Sequence, residues 1–416
     1  MNRTTRVCMF VSHCLALAMV LPIVLPIGAM AQTEAPPVLA ARDLAPAELL
    51  AGPDFTVDNT VPTDGFYGIF TVRGAYGSVQ ARGVAMLRVR VAETQALARL
   101  EETSRREAIV GGAKDSTRQT VRAAGQTVQD PVGAVEKVPE SVGGLFSRLG
   151  GRVEKRVGKL TGSEDSSAPA GQREGIAKAR RALAQQLGVD PYTDNPLLSA
   201  ELDQVAKWKR AGELAVSIGT SGASIWAGIA TKTAKLVWTQ PPEEVRAVNE
   251  KRLGSLVLGA SAEDIRIFLH NPAFTPTTQT LLVDQLESLP VPQGRDSLVR
   301  LAGKMDNHDQ ARFLVAATGL LAAYHERVAR LASVESRGRL VVGLIAPGSL
   351  ILAVPVDSLA WTERLVEFGG RSDLRAARRE ILITGGVTPR TRQELSAHGW
   401  TLRERFGGTL AGGTKP

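Results

Sequence analysis

The chain has 416 residues, with 50 lysines and arginines against 42 aspartates and glutamates, a formal net charge of +8. It is long enough for two or three domains and leans towards an anionic partner, whether lipid headgroups, acidic polymer or nucleic acid. An aromatic content of 5% disfavours nucleic-acid binding on stacking platforms. Both of its two cysteines, Cys8 and Cys14, lie in a stretch that reads as a signal, so disulfides, thiolate metal sites and a cysteine nucleophile are excluded from the rest.

Residues 1–31 carry the marks of an export signal. Arg3 and Arg6 form a positive start, an apolar run from Cys14 to Ile27 follows, and Ala29-Met30-Ala31 fits cleavage before Gln32. The run is short for a membrane span and is interrupted by Pro22 and Pro26. The expected product is a periplasmic or secreted protein, peripheral on a membrane at most.

The Ala/Pro-rich residues 32–58 read as a tether. Residues 59–109 read as a β-hairpin in "GFYGIFTVRGAYGSVQARG" followed by a helix from about Val84, with Leu87, Val91, Leu97 and Leu100 near helical spacing.

Residues 110–160 are basic and amphipathic, with apolar positions three and four residues apart that include Val128, Val135, Val142, Phe146 and Leu149. Arg148, Arg152, Lys155, Arg156 and Lys159 make the other face basic. Pro131, Pro139 and several glycines forbid one continuous coiled coil, since each proline costs about 3 kcal/mol inside a helix. Short helices hinged end to end are expected, and they need an apolar surface outside themselves. The protein's own body is the commoner one, and an anionic membrane surface or an envelope partner protein is the other.

After a linker at 161–172, residues 173–258 read as a central helical region. Asp190, Asp194 and Asn195 sit close together without the glycine and closing glutamate of a calcium loop, so capping and turn chemistry is expected of them. The uncharged run Leu214 to Thr231 has a small residue at every fourth position, which suits a tightly packed hairpin.

Residues 259–416 read as a C-terminal helical and α/β domain: a capped helix in "SAEDIRIFLHNP", two more helices, a long apolar helix in "NHDQARFLVAATGLLAAYHERVARLAS", two apolar strands across Pro347-Gly348, then strand, loop, helix and strand from Ile381 to Trp400. The expected class is α+β and predominantly helical.

Chemical signals are sparse. The loop Thr384, Gly385, Gly386 and Thr388 joins a strand end to a helix start, where backbone N–H groups suit a small anion; an ordinary turn has the same appearance. His270, His308, His325 and His398 lack metal-ligand spacing, so no metal is expected, and nothing points to a cofactor. There is no G-x-S-x-G, S-x-x-K or H-E-x-x-H motif, although a triad assembled in space from distant residues stays open.

The segments "LGVDPYTDNPLL", "VPVDSLAWTE" and "GGVTPRTRQELSAHGWTL" resemble parts of uncharacterised exported bacterial proteins with no assigned activity. The resemblance spans most of the chain after the signal and implies export, but no site and no reaction. The expectation is an exported, non-enzymatic envelope protein docking through 110–160, and the alternative is a periplasmic enzyme or small-anion binder using Thr384 to Thr388, with His325 or His398 close by.

Overall fold

The structure, a computed structural model, describes residues 33–75, 77–111, 170–211, 231–257, 259–291, 293–346 and 348–407. The signal, most of segment 110–160 and the uncharged run before Thr231 lie outside the described residues.

The N-terminal part is built on sheets. β1 (Val38–Ala40) leads into a short helix, α1 (Ala41–Leu44), then β2 (Ala51–Gly52), β3 (Phe55–Val57), β4 (Thr60–Pro62), β5 (Ile69–Gly74) and β6 (Gly77–Arg82). β1 pairs with β4, and the other four form an antiparallel sheet in the order β2-β3-β5-β6. Phe70 and Val72 point inwards with Phe55, Val57 and Ala81, the alternation of a half-buried sheet. The stretch expected as a tether supplies part of this core, including buried Ala41, Ala45 and Leu49. Its prolines punctuate short strands and do not prevent them.

α2 (Val84–Gly111) spans two cores. Leu87 and Val91 press on the sheet, whereas Leu97 and Leu100 pack with Leu183, Leu187, Leu198 and Leu202 from α3 (Ala170–Leu187) and α4 (Pro196–Ala211). Each fully buried leucine contributes about 1.5–3 kcal/mol, so this helix fastens the N-terminal sheet to the helical middle.

α5 (Thr231–Thr239), α6 (Pro242–Leu256), α7 (Ala262–Leu269), α8 (Pro276–Glu287) and α9 (Arg295–Ala302) lead to the long α10 (His308–Arg327). Ser261 and Thr275 each close a capping box at the start of α7 and α8, satisfying amides that a helix start leaves open.

The C-terminal sheet has five strands: β7 (Ser333–Arg337), β8 (Leu340–Ile345), β9 (Ser349–Val354), β11 (Arg378–Ile383) and β13 (Trp400–Arg403), in the order β13-β11-β9-β8-β7. β10 (Ser358–Leu359) and β12 (Gly386–Val387) pair beside it, and α11 (Glu363–Gly369) and α12 (Pro389–Ala397) make the crossovers. β9, β11 and β13 run parallel, while β7 and β8 are antiparallel additions. Residues alternate strictly between the two faces. Val341, Ile351, Ala353 and Leu382 join the core under α10, and Val342, Leu350, Leu352, Ile381 and Ile383 join the core with Trp361, Leu365 and Leu395 of the α11–α12 side. Burial on both faces explains why these strands are continuously apolar.

The expectation of a predominantly helical chain is corrected. The structure is 52% helix and 20% strand, with twelve α-helices and thirteen strands among the described residues, a mixed α/β architecture. The strands that escape a periodicity reading are short or polar, such as β7 with the sequence SVESR.

Candidate functional site

The backbone N–H groups of Gly385, Gly386, Val387 and Thr388 are taken by hydrogen bonds within the chain. Gly385 N–H donates to Val356 O (2.8 Å), Gly386 N–H to Asp357 O (3.1 Å) and Thr388 N–H to Leu359 O (3.0 Å). Val387 N–H goes to the Glu404 carboxylate at 3.1 Å. A Cβ on Gly385 would lie 1.7 Å from Asp357 O, so the glycine is there for close backbone approach. At the α12 N-terminus Thr388 caps through its hydroxyl oxygen, and that hydroxyl donates to the Glu34 carboxylate at 2.6 Å. Glu34 also accepts Trp361 N–H at 2.8 Å. The negative charge at this helix start, where the loop of Thr384, Gly385, Gly386 and Thr388 was expected to suit a small anion, is that of Glu34.

The histidines do not join that loop. His398 lies at the opposite end of α12, with Nδ1 at 2.7 Å from Glu394 O and its ring against Trp361. His325 Nδ1 accepts Leu331 N–H at 3.1 Å, and burial with the nearby Arg330 holds its imidazole below the ordinary range. His270 and His308 bond to backbone carbonyls of Arg266 and Ala273. Among the described residues no cluster of His, Cys, Asp and Glu can hold a metal ion, and no helix is long and apolar enough to cross a membrane. Val128, Val135, Val142, Phe146, Leu149, Arg148, Arg152, Lys155, Arg156 and Lys159 lie outside the described residues.

Asp190, Asp194 and Asn195 belong to a buried polar network that ties α2 to α8 and α10. Glu93, 1% exposed, accepts from Arg90 (2.7 Å) and Asn195 (3.0 Å) and also takes the Thr193 hydroxyl. Asp194 bridges Arg90 and Arg312 at 2.7 and 2.5 Å. Burial opposes its charge, but the two guanidiniums outweigh it and hold the carboxyl well below the usual range. Asp190 pairs with no guanidinium among the described residues, and burial pushes it up to about 6 against hydrogen bonds from Tyr192 N–H and the Thr277 hydroxyl. The turn chemistry expected of these residues is present: Asp190 accepts Tyr192 N–H two residues on.

A cleft of about 590 Å³ lies on the α11 side of the C-terminal sheet. Its floor is Leu340, Leu352, Val354 and Ile381, from β8, β9 and β11. One wall is α11, through Arg364, Leu365, Glu367 and Phe368, and another is the first half of α10, through Asp309, Gln310 and Phe313. The end wall comes from the N-terminal part: Phe66, Tyr67 and Arg82. Arg82 lies 4.2 Å above the Tyr67 ring and pairs with Asp64 at 2.6 Å. Burial pushes the Tyr67 phenol well above its usual range; Arg82 opposes this, and Asp357, Asp64 and Asp309 add to it.

Behind that wall, Asp357 joins the two parts. Its carboxylate accepts Gly68 N–H (3.1 Å) and Val84 N–H (3.1 Å), the latter at the start of α2. Asp357 and Ser358 both donate their backbone N–H to Phe66 O. Burial pushes this carboxyl up to about 6, opposed by the two amides and by Arg82, with Asp64 raising it further.

No family model, no curated protein and no solved structure matches this chain. The cleft was not foreseeable from sequence: of its floor residues, Leu352 and Ile381 belong to the core and Leu340 and Val354 pack against it, so all four carry the same apolar signal.

Proposed function

We propose that this is an exported, non-enzymatic binding protein of the cell envelope, kept near an anionic surface or a partner by residues 110–160, and that its ligand is a small, largely apolar molecule. The single observation that supports the binding role is the cleft. Its volume of about 590 Å³ lies within the range typical of small-molecule sites, and apolar walls with a few charged groups at the margin are the usual composition of such sites. Walls drawn from three separate elements suit a fixed, preformed pocket. The docking role rests on the sequence pattern of 110–160.

The test is a titration of the chain from Gln32 with the neutral apolar fluorophore N-phenyl-1-naphthylamine, repeated on Val354→Trp and Leu340→Trp. Both positions are half-buried on the floor, so the added ring fills the cleft without entering the core. Saturable binding to the parent chain, lost in both variants that still fold by circular dichroism, supports the reading; binding unchanged in both contradicts it. Salt-sensitive co-sedimentation with anionic but not neutral vesicles, abolished by deleting 110–160, tests the docking role.

A further inference from the structure

We infer that the ligand of this cleft is an apolar chain ending in an anionic head, with the head held by Arg339 and Arg371 and the chain lying on Leu340 and Val354, above the core residues Leu352 and Ile381. This rests on the reading of the cleft as a binding site.

The charges on the cleft walls are unequal. Four are arginines, Arg82, Arg339, Arg364 and Arg371, and two are acids, Asp309 and Glu367. Asp309 is already engaged by Arg312 at 3.3 Å and Arg82 at 3.7 Å, while Glu367 is exposed on α11.

Two of the arginines lie at the β7–β8 turn. Arg371 donates to Arg337 O at 2.9 Å and lies 3.4 Å from the point where a Cβ of Gly338 would be, and Arg339 is the next residue. Each guanidinium keeps an uncommitted donor among the described residues. Arg339 uses both Nη atoms on Gln310 and Asp306, leaving Nε, and Arg371 uses Nε and Nη2, leaving Nη1.

Their present acidic partners are replaceable. Asp306 and Arg339 are 63% and 56% exposed, and Asp373 is 48% exposed. Ion pairs this open to water contribute little, so an incoming anion exchanges for them at small cost. A carboxylate or phosphate here would receive forked, charge-assisted hydrogen bonds. The apolar floor starts at Leu340, directly beside Arg339, which gives the ligand its polarity: head at the turn, tail towards Phe66 and Tyr67.

The experiment is displacement of N-phenyl-1-naphthylamine from the full chain by four competitors of equal length, used below their micelle concentrations: dodecanoate, dodecyl phosphate, dodecanol and dodecylamine. Both anions are expected to displace the probe at concentrations about tenfold lower than dodecanol. In Arg339→Gln/Arg371→Gln that advantage disappears while the dodecanol midpoint stays. Dodecanoate ahead of dodecyl phosphate identifies an acyl carboxylate and the reverse a phosphorylated lipid; either order supports the inference when both precede the alcohol. Anions no better than dodecanol, or dodecylamine strongest, overturns the anionic head and leaves the apolar cleft standing. If the probe itself fails to bind, the reading of the cleft falls and this inference with it.

Discussion

Asp357→Asn is expected to stabilise the chain at neutral pH and destabilise it in mild acid. Burial pushes the Asp357 carboxyl up to about 6 from 3.8, so between those values the folded chain holds the proton that the unfolded chain has released. Stability from this group is therefore fully present below the unfolded value and is lost as pH rises through the folded one. A displacement of about two pH units is worth about 3 kcal/mol. Asparagine never ionises and avoids that loss, but its amide group faces one of the two backbone N–H donors, at a cost of about 1 kcal/mol. The variant is thus expected to be about 2 kcal/mol more stable than the parent near pH 7.5 and about 1 kcal/mol less stable near pH 4. Urea unfolding of both proteins across that range measures it. Asp190 and Glu201 are also pushed up by burial, to about 6 and about 7, and titrate in the same sense, so the difference between the two proteins isolates Asp357. A difference that does not change with pH would refute the reasoning.

Three further outcomes are expected. Gly385→Ala places a methyl 1.7 Å from Asp357 O and should cost about 3 kcal/mol or more, whereas Gly386→Ala meets nothing nearer than 3.6 Å and should leave the melting temperature almost unchanged. Glu93→Ala strips a partner from buried Arg90 and should cost about 3–5 kcal/mol by chemical denaturation, with Glu93→Gln less severe. Thr388→Ala removes a helix cap at a cost of about 1 kcal/mol, and because Glu34 bonds the same hydroxyl, Glu34→Gln on top of it should cost less than Glu34→Gln alone; additive losses would deny the contact.

The legible parts of the fold were those where one local rule decides the outcome. The hairpin before Arg82, the helix from Val84, the capped helix after Ser261 and the run from Thr388 through Pro389 to Gly399 are all found at the residues expected, because turn glycines, caps and N1 proline act within a few residues. Composition misled at 32–58, where prolines bounded short strands whose partners, such as Thr60 to Pro62, lie further along the chain. The loop at Gly385 and Gly386 looked open because its acceptors, Val356, Asp357, Leu359 and Glu404, come from other elements. Asp357 was hidden for the same reason: the amides it receives belong to residues 68 and 84, far away in sequence.

Photolabelling the full chain with a diazirine-bearing dodecanoate, with the adducts mapped by mass spectrometry, shows whether the cleft takes an apolar ligand. Labels are expected on residues 340–371 and 66–82, competed away by unlabelled dodecanoate. Adducts confined to α3 and α4, or spread over the surface without competition, would contradict such binding.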